Sequence, residues 1–165
     1  MLDNPKRRCG SFRRSSPAAL QPDLDLSGLG PQPRDPDDLA AFGAGFEWVE
    51  LQVGIARVES AFTANVLSPV AAVGLSQVMP YVADRLGCGD LFDPAANLDC
   101  GARVLAGFLR SFGGNLVSAL SGYNAGYGMP TRARKETRTP RNFQYVEDVL
   151  RARARWLRKG CAAWD

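Results

Sequence analysis

Glu59 is the residue of this chain best suited to acid–base chemistry. The sequence contains no histidine, which excludes Ser-His-Asp and Cys-His mechanisms and leaves carboxylates, tyrosines and lysines as catalytic groups. Glu59 has the apolar neighbours Val58 and Phe62 and lies near the C-terminal end of a predicted helix. Apolar surroundings and the negative end of a helix both disfavour a charged carboxylate, so such a group can keep a proton and act as a general acid. Taken alone, a glutamate here is more often a solvated surface residue.

Short polar motifs follow Glu59 along the chain. Ser60 comes directly after the glutamate, and Ser68 comes nine residues after it, paired with Pro69. Amide and hydroxyl groups can bind a polar ligand through hydrogen bonds, and aromatic rings can line a ligand site. Each motif alone also fits an ordinary role in a core, a turn or a helix end. The later motifs are Gly74-Leu75-Ser76-Gln77-Val78-Met79-Pro80, Tyr123-Asn124-Ala125-Gly126 and Tyr145-Val146.

In this order the motifs resemble those of the soluble lytic transglycosylase family, lysozyme-like enzymes that cut the glycan strands of bacterial peptidoglycan. The resemblance covers residues 46–156 and implies that Glu59 is the catalytic acid and base. It also implies that Gln77 hydrogen-bonds a sugar, that Met79 shapes the cleft and that Tyr145 faces the catalytic carboxyl. The residues that it assigns to substrate binding are Ser60, Ser68, Gly74, Leu75, Gln77, Met79, Tyr123, Asn124, Ala125, Gly126 and Tyr145.

The resemblance implies a reaction that needs a single carboxylate. The acid protonates the leaving oxygen, the N-acetyl group of the substrate stabilises the cation-like centre, and the 6-hydroxyl of muramic acid closes a 1,6-anhydro ring. Hydrolytic glycosidases usually add a second carboxylate, and none stands in a family motif here. Two alternatives stay open: a goose-type muramidase that hydrolyses the same bond, and a structural virion or secretion-machine component that uses a lysozyme-like domain for docking.

The hydrophobic pattern predicts a mainly α, lysozyme-like single domain over residues 44–165 with at most a small β element. Apolar residues from Trp48 to Phe62 recur at three- and four-residue steps, which indicates an amphipathic helix that carries Glu59. A β-hairpin could lie between Asn65 and Leu75. The other predicted elements are helices over 78–86, from Asp93-Pro94 to Gly113-Gly114, over 116–123 and from Thr139-Pro140 onward, with a loop over 127–138.

The composition of residues 1–43 predicts an extended or flexible arm. Six of the eleven prolines fall in this segment, and its apolar residues are sparse and without a period. Its first thirty residues carry basic groups but no apolar core, so we expect no secretory signal. An enzyme that acts on the cell wall or in the periplasm would then be carried there, by a phage tail or injection particle or by a secretion machine. The arm is the segment expected to contact such subunits.

Composition and charge bear on four further questions: a nucleic-acid partner, a membrane span, a metal site and a disulfide. The net charge of +3 is too small to indicate a nucleic-acid partner, and no apolar run is long enough to span a membrane. Ten of the twenty basic residues fall between 131 and 159, which favours a solvated helix face over attraction to an anionic wall or subunit. No ligand spacing typical of a metal appears, so we expect no metal or cofactor. Cys88 and Cys100 could form a disulfide or remain two buried thiols.

Overall fold

The computed structural model describes residues 48–164, and the predicted arm over residues 1–43 lies outside this range. Helices dominate the described part of the chain, which confirms the predicted mainly α class. Between residues 48 and 164, no helix combines the length and apolar character that crossing a membrane would need. The elements are α1 (Trp48–Ser60), α2 (Pro80–Leu86), α3 (Pro94–Ser111), α4 (Leu116–Ala125), α5 (Gly128–Lys135), α6 (Phe143–Lys159) and a 3₁₀ turn (Gly160–Ala163).

The first and last long helices, α1 and α6, form the most extensive helix pair. Their facing apolar side chains are fully buried, and Gly54 of α1 lies so close to α6 that a Cβ atom there would be 2.7 Å from the Val149 carbonyl oxygen. The absence of a side chain at Gly54 therefore lets the two backbones meet. Both helices contribute buried apolar side chains to the core, Leu51 and Ile55 from α1 and Val146 and Val149 from α6.

Helix α3 begins where the sequence predicts, at Pro94, whereas α2 begins at Pro80, two residues after the predicted start at Val78, which pairs with Val73 instead. Pro80 occupies the first turn of α2, and Asp93 caps α3 by accepting a hydrogen bond from the Ala96 N–H at 2.8 Å. A disulfide joins Cys88, which follows α2, to Cys100 inside α3, with their Cα atoms 5.7 Å apart. Short covalent and polar links thus hold α3 against the segment before it.

The predicted loop over 127–138 is wrong, because α5 (Gly128–Lys135) is helical. Its buried residues, Pro130 and Ala133, are too small to give an apolar period, and three of the six remaining residues are basic. Pro130 lies in the first turn, where the missing N–H costs no helical hydrogen bond. A proline at this position is therefore compatible with the helix.

Two further helix boundaries and the possible hairpin also differ from their predictions. Helix α4 runs to Ala125, two residues beyond the predicted end, so the Tyr-Asn-Ala motif is helical. Helix α6 begins at Phe143 instead of Thr139-Pro140. The possible hairpin between residues 65 and 75 is present only as isolated antiparallel bridges, Leu67 with Val73 and Val73 with Val78.

Candidate active site

Glu59 lies at the penultimate position of α1, and only 1% of its surface is exposed. Its Oε1 atom accepts a hydrogen bond of 2.7 Å from the hydroxyl of Tyr145, in the first turn of α6. The apolar contact between the two helices therefore excludes solvent from the carboxyl and also supplies a donor to it. Within residues 48–164, Glu59 is the only buried acidic side chain.

Burial raises the pKa of Glu59 to about 7, against the opposing effect of the Tyr145 hydrogen bond. A substantial fraction of the carboxyl is then protonated near neutral pH, as a general acid requires. Burial, with the added effect of a charged Glu59, raises the pKa values of Tyr123 and Tyr145 well above the ordinary range. Both phenols therefore remain neutral hydrogen-bond donors.

The loop over residues 73–77 is attached to the helices on both sides of it. Ser60, next to Glu59, places its hydroxyl 3.0 Å from the Ala56 carbonyl oxygen and 2.9 Å from the Leu75 carbonyl oxygen. The Tyr123 hydroxyl of α4 donates to the Ser76 carbonyl at 2.8 Å. Residues from three separate sequence motifs thus converge around this loop.

Gln77 presents an unpartnered acceptor. It is 5% exposed, and its Nε2 atom donates to the carbonyls of Gly74 at 2.9 Å and Val66 at 3.4 Å. Its Oε1 atom has no hydrogen-bond partner among the described residues. The residue also holds a left-handed backbone with φ of +46°, which non-glycine residues rarely adopt and which clusters at functional sites. This buried oxygen lacks the partner that such an atom normally has, and an N–H or O–H group of a ligand that reached it would supply one.

The other predicted binding residues have diverse environments. Ser68 accepts a hydrogen bond from the Ala72 N–H at 2.9 Å, within its own turn. Leu75 and Met79 are partly exposed, and Met79 also packs against the core. Ser68 therefore stabilises its own turn, and the side chains of Leu75 and Met79 are partly accessible at the surface.

The Tyr-Asn-Ala-Gly motif forms the C-terminal end of α4. Ala125 is the last helical residue, and Gly126 follows with φ of +77° and donates its N–H to the Gly122 carbonyl. The Asn124 side-chain oxygen accepts a hydrogen bond of 3.1 Å from Asn142. The positive φ explains a glycine at position 126.

Two asparagines that sequence reasoning missed support this arrangement. Asn97 of α3 is fully buried and hydrogen-bonds three backbone groups around the loop over 73–77. Asn142 contacts both Ser121 and Asn124 across α4 and the start of α6. Neither belongs to a motif with a chemical signature, and only their tertiary partners show what they do. In the described range, no group of three acidic or cysteine side chains converges to hold a metal ion.

A model of the transglycosylase SLT domain family matches residues 45–146 of this sequence. The chain therefore belongs to that family. This result confirms the family resemblance that the motifs from Glu59 to Tyr145 carry.

Relatives and solved structures agree with this assignment. A soluble lytic murein transglycosylase of Salmonella typhimurium is 40% identical over 86 residues, covering 46% of this chain and 13% of that protein. A transglycosylase of Enterobacteria phage PRD1 is 36% identical over 76 residues, covering 46% of this chain and 28% of that protein. The structure of an inactive glutamate-to-glutamine mutant of the lytic transglycosylase Slt of Pseudomonas aeruginosa matches with a TM-score of 0.57 and 28% identity, over 70% of this chain and 23% of that one. The described fold is lysozyme-like, as predicted, and the chain spans between about an eighth and about a quarter of the length of these proteins.

Proposed function

We propose that this chain is a peptidoglycan lytic transglycosylase that cleaves the β-1,4 bond between N-acetylmuramic acid and N-acetylglucosamine. The observation that carries the proposal is the buried Glu59 carboxyl, with its raised pKa of about 7 and its hydrogen bond from Tyr145. The family and the relatives named for this activity support it. In one such relative, a glutamate-to-glutamine mutant is inactive.

The proposed reaction uses Glu59 twice. Protonated Glu59 gives its proton to the glycosidic oxygen as the bond from that oxygen to C1 of muramic acid breaks. The carbonyl oxygen of the substrate's own N-acetyl group stabilises the positive charge that develops at C1. The Glu59 carboxylate then takes the proton of the C6 hydroxyl, O6 bonds to C1, and the 1,6-anhydro ring closes. Glu59 ends protonated, and no water is consumed.

The isolation of Glu59 favours this mechanism over hydrolysis by a goose-type muramidase. Glycosidases that hydrolyse generally pair a proton donor with a second carboxylate about 5–10 Å away. Between residues 48 and 164, no second carboxylate is among the groups that shift the Glu59 pKa, whose causes are burial and the Tyr145 hydrogen bond. The products distinguish the two reactions, because an anhydro end is lighter than a reducing end by one water.

The test compares Glu59→Gln with Glu50→Gln, a matched substitution in the first turn of the same helix. Purified sacculi are digested with each full-length variant, and the released fragments are analysed by mass spectrometry. We expect Glu59→Gln to lower the rate by about 10²- to 10⁴-fold and Glu50→Gln to release anhydro fragments at the rate of the unmodified chain. Full activity of Glu59→Gln would remove Glu59 from the mechanism, and reducing-end products would establish hydrolysis instead.

We also propose that the enzyme opens the wall locally as part of a phage particle or a secretion machine, with residues 1–43 contacting the neighbouring subunits. The similarity to the transglycosylase of phage PRD1 supports this setting. Particles or machines purified with and without residues 1–43 test it by immunodetection of the catalytic domain. Retention of the shortened chain at the full level would contradict the role of the arm.

A purely structural docking role is the alternative within the same setting. It predicts that Glu59→Gln particles enter cells as well as unmodified ones. The proposed enzymatic role predicts a loss of entry while the particle retains the protein.

The remaining binding residues keep the roles that the family motifs imply. In the proposal, Gln77 accepts a hydrogen bond from the sugar, and the partly exposed Leu75 and Met79 line the cleft. Ser60 and Tyr123 hold the loop from which these side chains extend, through the Leu75 and Ser76 carbonyls. Asn124, Ala125 and Gly126 face the acetamido sugar at the end of α4.

A further inference from the structure

One buried amide, that of Asn97, connects α3 to the loop over residues 73–77. Its Nδ2 atom donates to the Val73 carbonyl at 2.9 Å and to the Leu91 carbonyl at 2.8 Å. Its Oδ1 atom accepts from the Ser76 N–H at 2.7 Å. The side chain is fully buried, and these three bonds use both donors and the acceptor oxygen of its amide.

We propose that Asn97 is a positioning residue that holds this loop in the conformation that binds the glycan. The inference rests on the proposed function and extends it to a residue that touches no substrate. Asn97 acts on the backbone at Val73 and Ser76, and between and beside these points Gly74 and Gln77 adopt left-handed φ angles of +76° and +46°. Because a free loop rarely keeps a non-glycine residue in that region, the anchored neighbours fix it there.

The anchored loop leads directly to groups of the candidate site. Its Leu75 carbonyl accepts from Ser60, adjacent to Glu59, and its Ser76 carbonyl accepts from Tyr123. The Gln77 side chain is held by the Gly74 carbonyl, which leaves its Oε1 atom as the unpartnered acceptor. A shift of the loop would therefore move the sugar-binding oxygen relative to Glu59.

The geometry also explains why an asparagine stands here. The two carbonyl partners require N–H donors, while the Ser76 N–H requires an acceptor. An ionised aspartate has no donor and would place negative charge against two carbonyl oxygens. Position 74 is equally restricted, since a Cβ atom there would lie 2.2 Å from Asn97 Nδ2.

The test compares the full-length chain with Asn97→Asp and with the matched control Asn115→Ala. Asn115 caps the opposite end of α4 by accepting from the Ser118 N–H, so its loss destabilises a helix without touching the loop. On soluble, uncrosslinked peptidoglycan strands we expect Asn97→Asp to lower kcat/KM by about 10- to 100-fold, mainly through KM. The pH above which activity declines is expected to stay unchanged, because the surroundings of Glu59 are unaltered. Asn115→Ala should keep the kcat/KM of the unmodified chain at temperatures where both are folded.

Hydrogen exchange supplies a readout that does not depend on activity. We expect faster exchange of the Ser76 and Gln77 amides in Asn97→Asp but not in Asn115→Ala. Should Asn97→Asp fail to fold, Asn97→Ser retains one hydroxyl and serves for the same measurements. An unchanged KM together with unchanged exchange at Ser76 would overturn the inference while leaving the role of Glu59 intact. If Asn97→Asp exchanges faster while the unmodified chain itself releases no fragments from peptidoglycan, the loop contact is confirmed and the proposed function is refuted.

Discussion

The two sides of the candidate site are held by different forces. On one side, the contact between α1 and α6 consists of apolar side chains and a close backbone approach at Gly54. On the other side, the loop over 73–77 has only isolated bridges and depends on hydrogen bonds from buried polar side chains such as Asn97 and Tyr123. The first side controls the protonation of Glu59 by excluding water, and the second controls the direction of hydrogen-bonding groups. Acidity and recognition can therefore be altered separately.

The largest expected loss of folding stability comes from the apolar side of the site. Ile55→Ala removes a fully buried side chain that α1 contributes to the core and should lower the free energy of unfolding by about 2–5 kcal/mol. Val49→Ala in the same helix is the control, because Val49 is 68% exposed and should cost less than about 0.5 kcal/mol. Urea unfolding measures both. Equal losses for the two variants would mean that this contact is not the main support of the fold.

The second prediction separates the acidity of Glu59 from its packing. Its folded-state pKa of about 7 exceeds the ordinary value of 4.5, so the carboxyl is neutral in both states below pH 4.5. Between pH 4.5 and about 7 the unfolded chain ionises first, and the stability that the neutral group contributes is lost as pH rises.

Glu59→Gln should therefore be more stable than the unmodified chain above pH 7, by about 3 kcal/mol, and nearly equal to it at pH 4. Urea midpoints at pH 4 and pH 8.5 measure the difference. The same stability difference at both pH values would show that desolvation does not set this pKa.

The third prediction addresses the polar side. Gly74→Ala combines a φ of +76° with a clash against Asn97, whereas Gly113→Ala has a φ of +61° and open space around its Cβ position. Both substitutions strain the backbone, so the difference between them isolates the clash. We expect Gly74→Ala to be the more destabilising by about 1–3 kcal/mol. Comparable losses in thermal unfolding would indicate that the loop and Asn97 can move apart at little cost.

The smallest expected effect lies where the two sides meet. Tyr145→Phe removes the hydrogen bond that lowers the pKa of Glu59, so that pKa should rise further, by up to about one unit. The alkaline decline of kcat/KM would move to higher pH by the same amount. Tyr127→Phe is the control, since its ring stacks on Phe112 at 4.9 Å and its loss of a hydroxyl should not move the profile. A profile unchanged by Tyr145→Phe would show that Glu59 is not the titrating group.

Sequence patterns predict the helices of this fold better than the loop between them. Proline and a capping aspartate mark the starts of α2 and α3 locally, so one stretch of sequence suffices. The proximity of Glu59 and Tyr145 spans 86 residues, and only the family motifs brought the two together in advance.

The roles of the missed residues depend on distant partners. Asn97 bonds groups that lie 21 and 24 positions earlier in the chain, and a buried asparagine looks like any other helix residue in a single sequence. Helix α5 was missed for a different reason, because its basic residues and small buried residues give no helical period of apolar side chains. Contacts made by neutral amides and small side chains are thus the least visible in sequence.

The disulfide between Cys88 and Cys100 makes the stability of this chain depend on the redox state of its surroundings. Such a bond typically adds about 3 kcal/mol by restricting the unfolded chain, and it persists only where thiols are oxidised. The disulfide closes the connection that leads into α3. In newly made protein in a reducing cytoplasm, noncovalent contacts alone would hold that connection in place. The molecule would then be easier to degrade in a reducing compartment than in an oxidising one.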